Sequence, residues 1–215
     1  MTLEHSPPPW RVLLVGGASG VGKTVLARTL ARHYGVSLLL VDDVRLALQQ
    51  VTTPEQHAAL HYFLTTPAVW RRPEDDLLAG FIGVSTALAP ALGVIVAHHL
   101  VVDGAGPLII EGDGVAPSLV GEHSPVAPHI PDSGLLRDMR ALFVDESDEE
   151  IILANMLARG RGFERMQPDE QRVNAHAAWR SGAWLRKEAE KYHALVIPAR
   201  PQETLFERTL EQLQR

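Results

Sequence analysis

Gly17, Ala18, Ser19, Gly20, Val21, Gly22, Lys23 and Thr24 place small residues, an amine and a hydroxyl at fixed spacing. They satisfy the pattern G-x-x-x-x-G-K-[ST] at every position. A glycine-rich turn that opens a helix aims successive backbone N–H groups at one point, where the helix dipole adds positive potential. Such a cradle holds phosphate. Lys23 can reach the outer phosphates of a nucleoside triphosphate, the Thr24 hydroxyl can ligate Mg²⁺, and Val25 completes the candidate phosphate-binding set.

Four further groups could complete the chemistry. Asp42 and Asp43 follow an apolar run, and a carboxylate there could take the proton of an attacking hydroxyl. The alternative is that one of them caps a helix starting near Val44. Arg45 could grip an anionic acceptor. Glu111 ends another apolar run and is followed by Gly112, Asp113 and Gly114. Glu111 and Asp113 there make a Walker-B-like pattern, a carboxylate that holds Mg²⁺ through water, and Glu111 also borders the acceptor. Arg159, Arg161 and Arg165 are separated by Gly160 and Gly162. This suits a lid at about 159–168 that brings positive charge onto a transferring phosphoryl group. The alternative is cations at a helix C-terminus with a glycine cap, and Phe163 reads as a packing residue. Arg200 follows the last apolar run and could flank an adenine. No Asn-Lys-x-Asp signature for guanine occurs, which favours ATP.

These residues need a scaffold that gathers them. Short, nearly continuous apolar runs at 12–15, 37–41, 107–111, 140–144 and 194–197 read as strands covered on both faces. Helical patterns lie between them at 24–34, 73–102, 148–159, 169–192 and 203–214. This alternation predicts an α/β parallel sheet with helices on both faces and ligands at the strand carboxyl ends. The proline-rich stretch 115–133 reads as a long loop. Trp70, Trp179 and Trp184 read as packing residues.

Composition bounds the rest. The 215 residues are 46% hydrophobic, enough for one α/β domain. The formal charge of −6 argues against a nucleic-acid surface, and the lack of cysteine rules out disulfides and thiol nucleophiles within the chain. Residues 1–10 hold three prolines and no signal-peptide pattern, so they read as a loose tail before a single domain at 11–215. Residues 77–100 carry no Asp, Glu, Lys or Arg, but their Ser, Thr, Pro and His content reads as a buried helix and not a membrane span. The expectation is a cytoplasmic monomer or homodimer.

Gly16–Thr24 as a block, Val41-Asp42-Asp43-Val44-Arg45, and Ile109-Ile110-Glu111-Gly112 with Pro117 downstream resemble 2-phosphoglycerate kinase and its bacterial relatives. Segments 155–162 and 198–201 continue the similarity in the same order. The resemblance implies a P-loop NTPase fold of the nucleoside-monophosphate-kinase type. It implies three α/β/α layers, a five-stranded parallel sheet ordered 2-3-1-4-5, and a helical lid. It also implies ATP·Mg²⁺ as donor and a small anionic hydroxyl compound, such as 2-phosphoglycerate, as acceptor near Asp42, Asp43 and Arg45. A nucleotide-dependent ATPase switch acting on a partner protein is the alternative.

Overall fold

A computed structural model describes residues 7–121, 123–160 and 162–214. The chain runs β1 (Val12–Gly17), α1 (Lys23–Tyr34), β2 (Ser37–Leu40), α2 (Val41–Val51), α3 (Ala58–Thr65) and α4 (Glu74–Val101). It continues with β3 (Leu108–Glu111), β4 (Met139–Asp145), α5 (Glu149–Arg159), α6 (Pro168–Lys191), β5 (Leu195–Pro198) and α7 (Leu205–Leu213). The strands form one parallel sheet in the order β2-β3-β1-β4-β5.

Period-two alternation divides β1 between two apolar layers. Leu13 and Val15 join Leu26 and Leu30 of α1, Ile152 and Met156 of α5, and Leu205 and Leu213 of α7. Val12 and Leu14 join Leu88, Leu92, Val96 and Leu100 of α4 and Leu185 and Ala189 of α6. The sheet is therefore covered on both faces, as its apolar runs require.

Helix α4 is a single piece that continues through Pro90. Among the described residues it is the one helix long and apolar enough to cross a membrane by length and composition. Its Leu77, Leu88, Leu92, Val96 and Leu100 are fully buried inside the domain. The stretch 115–133 is not an open loop: short 3-10 turns at Pro117–Leu119 and Ala127–His129 bury Val115, Leu119 and Val126 against the α4 layer.

The structure revises three expectations. Trp10 does not belong to a loose tail, because it is buried edge-on against Tyr34 with ring centroids 5.4 Å apart. Residues 1–6 lie outside the described residues. Helix α2 starts at Val41, directly after β2, and not near Val44. Asp42 and Asp43 therefore sit inside its first turn, where the helix dipole favours carboxylates, and neither accepts a capping hydrogen bond. Helix α3 was not expected at all.

Candidate active site

The candidate phosphate cradle is built where β1 turns into α1. Gly17, Gly20 and Gly22 have φ of 141°, 84° and 91°, conformations that side chains resist. The turn is held from outside. The Asn155 side-chain amide, on α5, donates to the Gly20 carbonyl at 2.8 Å. Gln202 also reaches the turn: its Nε2 lies 3.2 Å from where a Cβ on Gly22 would sit.

Lys23 is only 4% exposed. Its ammonium donates to the Ala18 carbonyl at 3.0 Å and forms an ion pair with Asp113. The Ser19 hydroxyl donates to the other Asp113 oxygen. Thr24 donates to Glu111 Oε1 at 3.1 Å. Sheet register produces this meeting, because Val15 pairs with Glu111 and the Gly112 amide donates to the Val15 carbonyl.

The two carboxyls are tuned apart. Burial pushes Glu111 above the usual carboxylate range, and the charges of Asp113 and Asp42 add to this; Lys23 and the Thr24 hydroxyl pull the other way. Burial acts upward on Asp113 too. There the Lys23 ammonium, hydrogen bonds from Lys23 and Ser19, and the charge of Arg159 outweigh it, so Asp113 stays below its ordinary value. Thr24, Glu111 and Asp113 offer hard oxygen donors, the set that suits Mg²⁺. Among the described residues no group of three or more His, Cys, Asp or Glu is placed to hold a metal ion.

Two adjoining cavities meet at this point. The smaller, about 230 Å³, is lined by Lys23, Thr24, Glu111, Asp113, Asp42 and Arg159. The larger, about 440 Å³, shares Ser19, Asp42, Arg45, Asp113 and Arg159 and extends along α3 and α4 past Phe63, Trp70 and Phe81. Arg45 and Asp42 form an ion pair at 3.1 Å. Gly112 and Gly114 let the chain after β3 pass close to α2 and α4. Added Cβ atoms would lie 2.6 Å from Val41 Cβ and 2.6 Å from Leu88 Cδ1, respectively.

Not every candidate residue gathers there. Asp43 is exposed and lines neither cavity. Val25 is 65% exposed on the outer face of α1. Arg165 points to solvent and pairs with Glu164 at 3.8 Å. Arg161 lies outside the described residues. The Arg200 guanidinium lies 3.3 Å from the buried Glu146 carboxylate, and Arg200 lines neither cavity. Phe163 packs, as expected, in the layer that holds α1, but it also lines the larger cavity together with Gly160 and Gly162. Trp70 packs, as expected, on Phe63, but it also faces the larger cavity. Sequence reasoning gave no role to Phe63, Phe81 or Gln202. No local pattern marks them, since each acts through an element distant in the chain.

Fold and site together define an α/β domain of P-loop type, with a glycine-rich turn at the carboxyl end of β1. No family model matches the chain. Over 115 residues, 51% of its length, it is 30% identical to 2-phosphoglycerate kinase from Pyrococcus horikoshii. It is 27% identical over 115 residues to 2-phosphoglycerate kinase from Pyrococcus furiosus. The match covers 37% of each of those proteins, so the chain spans well under half of the curated relatives it resembles. Among solved structures, a gluconokinase from Sinorhizobium meliloti 1021 superposes with a TM-score of 0.51 at 14% identity. That likeness covers 98% of this chain and 94% of the other, and it is a likeness of fold.

Proposed function

We propose that this protein is a kinase that moves the γ-phosphoryl group of ATP onto a hydroxyl of a small metabolite carrying an anionic group. The name of the archaeal relatives makes 2-phosphoglycerate the first compound to test. One observation carries the reading. Phosphate- and metal-type groups (Lys23, Thr24, Glu111, Asp113) and acceptor-type groups (Asp42, Arg45, Arg159) face connected cavities.

In this mechanism the cradle amides and Lys23 hold the phosphate oxygens. To do so, Lys23 exchanges its contact with Asp113 for phosphate. Thr24, Glu111 and Asp113 would hold Mg²⁺, which when bound neutralises charge on the phosphate oxygens. Asp42 accepts the acceptor's hydroxyl proton as that oxygen bonds to phosphorus and the bond from phosphorus to the bridging β-oxygen breaks. Arg45 orients both Asp42 and the acceptor's anionic group. Arg159 places positive charge beside the transferring group, a role worth ~10³-fold or more in related chemistry. Arg165 faces solvent and is given no role.

The test is ADP release from Mg·ATP across a panel of hydroxy acids and phosphorylated hydroxyl compounds, with Asp42→Asn alongside. Strong stimulation by one compound that disappears in the variant supports the kinase. Acceptor-independent turnover that survives the variant overturns it in favour of an ATPase acting on a partner.

A further inference from the structure

The larger cavity carries more chemistry than a small polyanion would use. Its polar end is Asp42, Arg45, Asp113 and Arg159. Arg45 is already engaged by Asp42, and Asp113 by Lys23. Arg159 is in no ion pair within 4 Å among the described residues. Among the described cavity-lining residues the acceptor thus meets Arg159 as the one cation without an ion pair, beside an Arg45 already shared with Asp42. A compound with both a phosphate and a carboxylate would bring more negative charge than that cation can balance.

Away from this end the wall is mostly apolar, with Asn174 as its polar side chain. Phe63 and Trp70 stack at 5.5 Å with planes 23° apart, and Phe81 leans on Phe63 at 4.7 Å. Val84, Leu88 and Met166 continue the surface. A three-carbon acid would leave most of about 440 Å³ to water against these rings. The rings lie on the Asp42 side, on α3, α4 and the short turn Val69–Arg71 between them. Gln202 approaches the cradle at Gly22 from a segment that does not line this cavity. The aromatic wall therefore lies beside Asp42 and away from the Gln202 side of the turn.

Resting on the kinase reading, we infer that the acceptor is a hydroxyl compound with a flat, ring-containing apolar body and at most one anionic group. The ring lies against Phe63 and Trp70, the anionic group turns to the end held by Arg45 and Arg159, and the hydroxyl points at Asp42. Flat rings gain from offset stacking on such a wall as well as from burial.

The experiment titrates the full chain with Mg·ADP and two probes. One is 4-hydroxyphenyllactate (a ring, a phenolic and an aliphatic hydroxyl, and one carboxylate) and the other is 2-phosphoglycerate. Calorimetry reads binding, and ADP release from Mg·ATP reads turnover. The expected result is at least about tenfold tighter binding of the ring-bearing probe. Phe63→Ala should weaken that probe by about tenfold and leave 2-phosphoglycerate and Mg·ADP affinities unchanged. Trp70→Phe, which keeps a ring in the stack, should stay within about threefold of the parent. Equal or tighter binding of 2-phosphoglycerate overturns the inference, as does a Phe63→Ala effect that falls equally on both probes. Loss of Mg·ADP binding in Phe63→Ala would show that the wall supports the fold and would overturn it too. The kinase reading is judged separately: acceptor-dependent ADP release with any compound, lost in Asp42→Asn, upholds it even when the ring-bearing probe fails.

Discussion

Gly112→Ala is a sharp test of how the two halves of the site are held together. Gly112 stands between Glu111 and Asp113, and a Cβ there would lie 2.6 Å from Val41 Cβ, 3.2 Å from its Cγ2 and 3.5 Å from its Cα. Ordinary carbon contacts need about 3.5–4.0 Å, so the chain after β3 and the start of α2 must separate by about 1 Å. Val41 is β-branched, buried and directly precedes Asp42, so it cannot swing aside as a long side chain would. Overpacking of this kind costs about 1–3 kcal/mol. A shift of about 1 Å between the acceptor base and the phosphate-binding groups can lower turnover by about 10²-fold. Gly106→Ala is the control, because nothing lies within 4 Å of its added Cβ, and its effect should stay within about 0.5 kcal/mol. Urea unfolding and ADP-release kinetics on both variants read the two magnitudes. A Gly112→Ala protein as stable and active as Gly106→Ala would refute the claim that this close approach sets the site.

Three other substitutions probe the charges. Asp42→Asn should reduce acceptor-dependent turnover by about 10²–10⁴-fold, whereas Asp43→Asn, outside both cavities, should change it by less than about threefold; steady-state kinetics separate them. Glu111→Gln removes a carboxylate whose ionisation burial opposes, so thermal stability should rise near neutral pH while the Mg²⁺ requirement of turnover increases. His176 bridges Glu149 at 2.9 Å and Glu74 at 3.4 Å, joining α6 to α5 and α4. The Glu149 hydrogen bond, opposed by burial, holds its imidazole above the ordinary histidine value. Because the folded value is the higher one, this contribution is fully present below about pH 6.5 and disappears as pH rises through the folded value. His176→Gln should therefore lower Tm at pH 6 and lose its effect at progressively higher pH in a thermal-melt series.

The glycine turn of the candidate phosphate cradle was legible from the chain because its groups are contiguous: one turn supplies the glycines, Lys23 and Thr24 together. The strands were legible for a related reason, since a strand buried on both faces must be an unbroken apolar run. Helix α2 was harder to see. The apolar run of β2 passes through Val41 into the helix without a turn, so periodicity gives no boundary at that point. Composition showed that Glu111 and Asp113 were acids after a strand, but their partners came from the fold. Insertion of β3 between β1 and β2 carries Glu111 to Thr24 and Asp113 to Lys23 across long stretches of chain. That placement also raises the pKa of one carboxyl and lowers that of the other, which no local pattern encodes. The aromatic wall has the same origin. Phe63, Trp70 and Phe81 come from α3, a short turn and α4, and they become one surface only when those elements pack beside the sheet. A constellation held within a single turn is written in the chain, whereas a cavity made from separate elements exists only after long-range packing joins them.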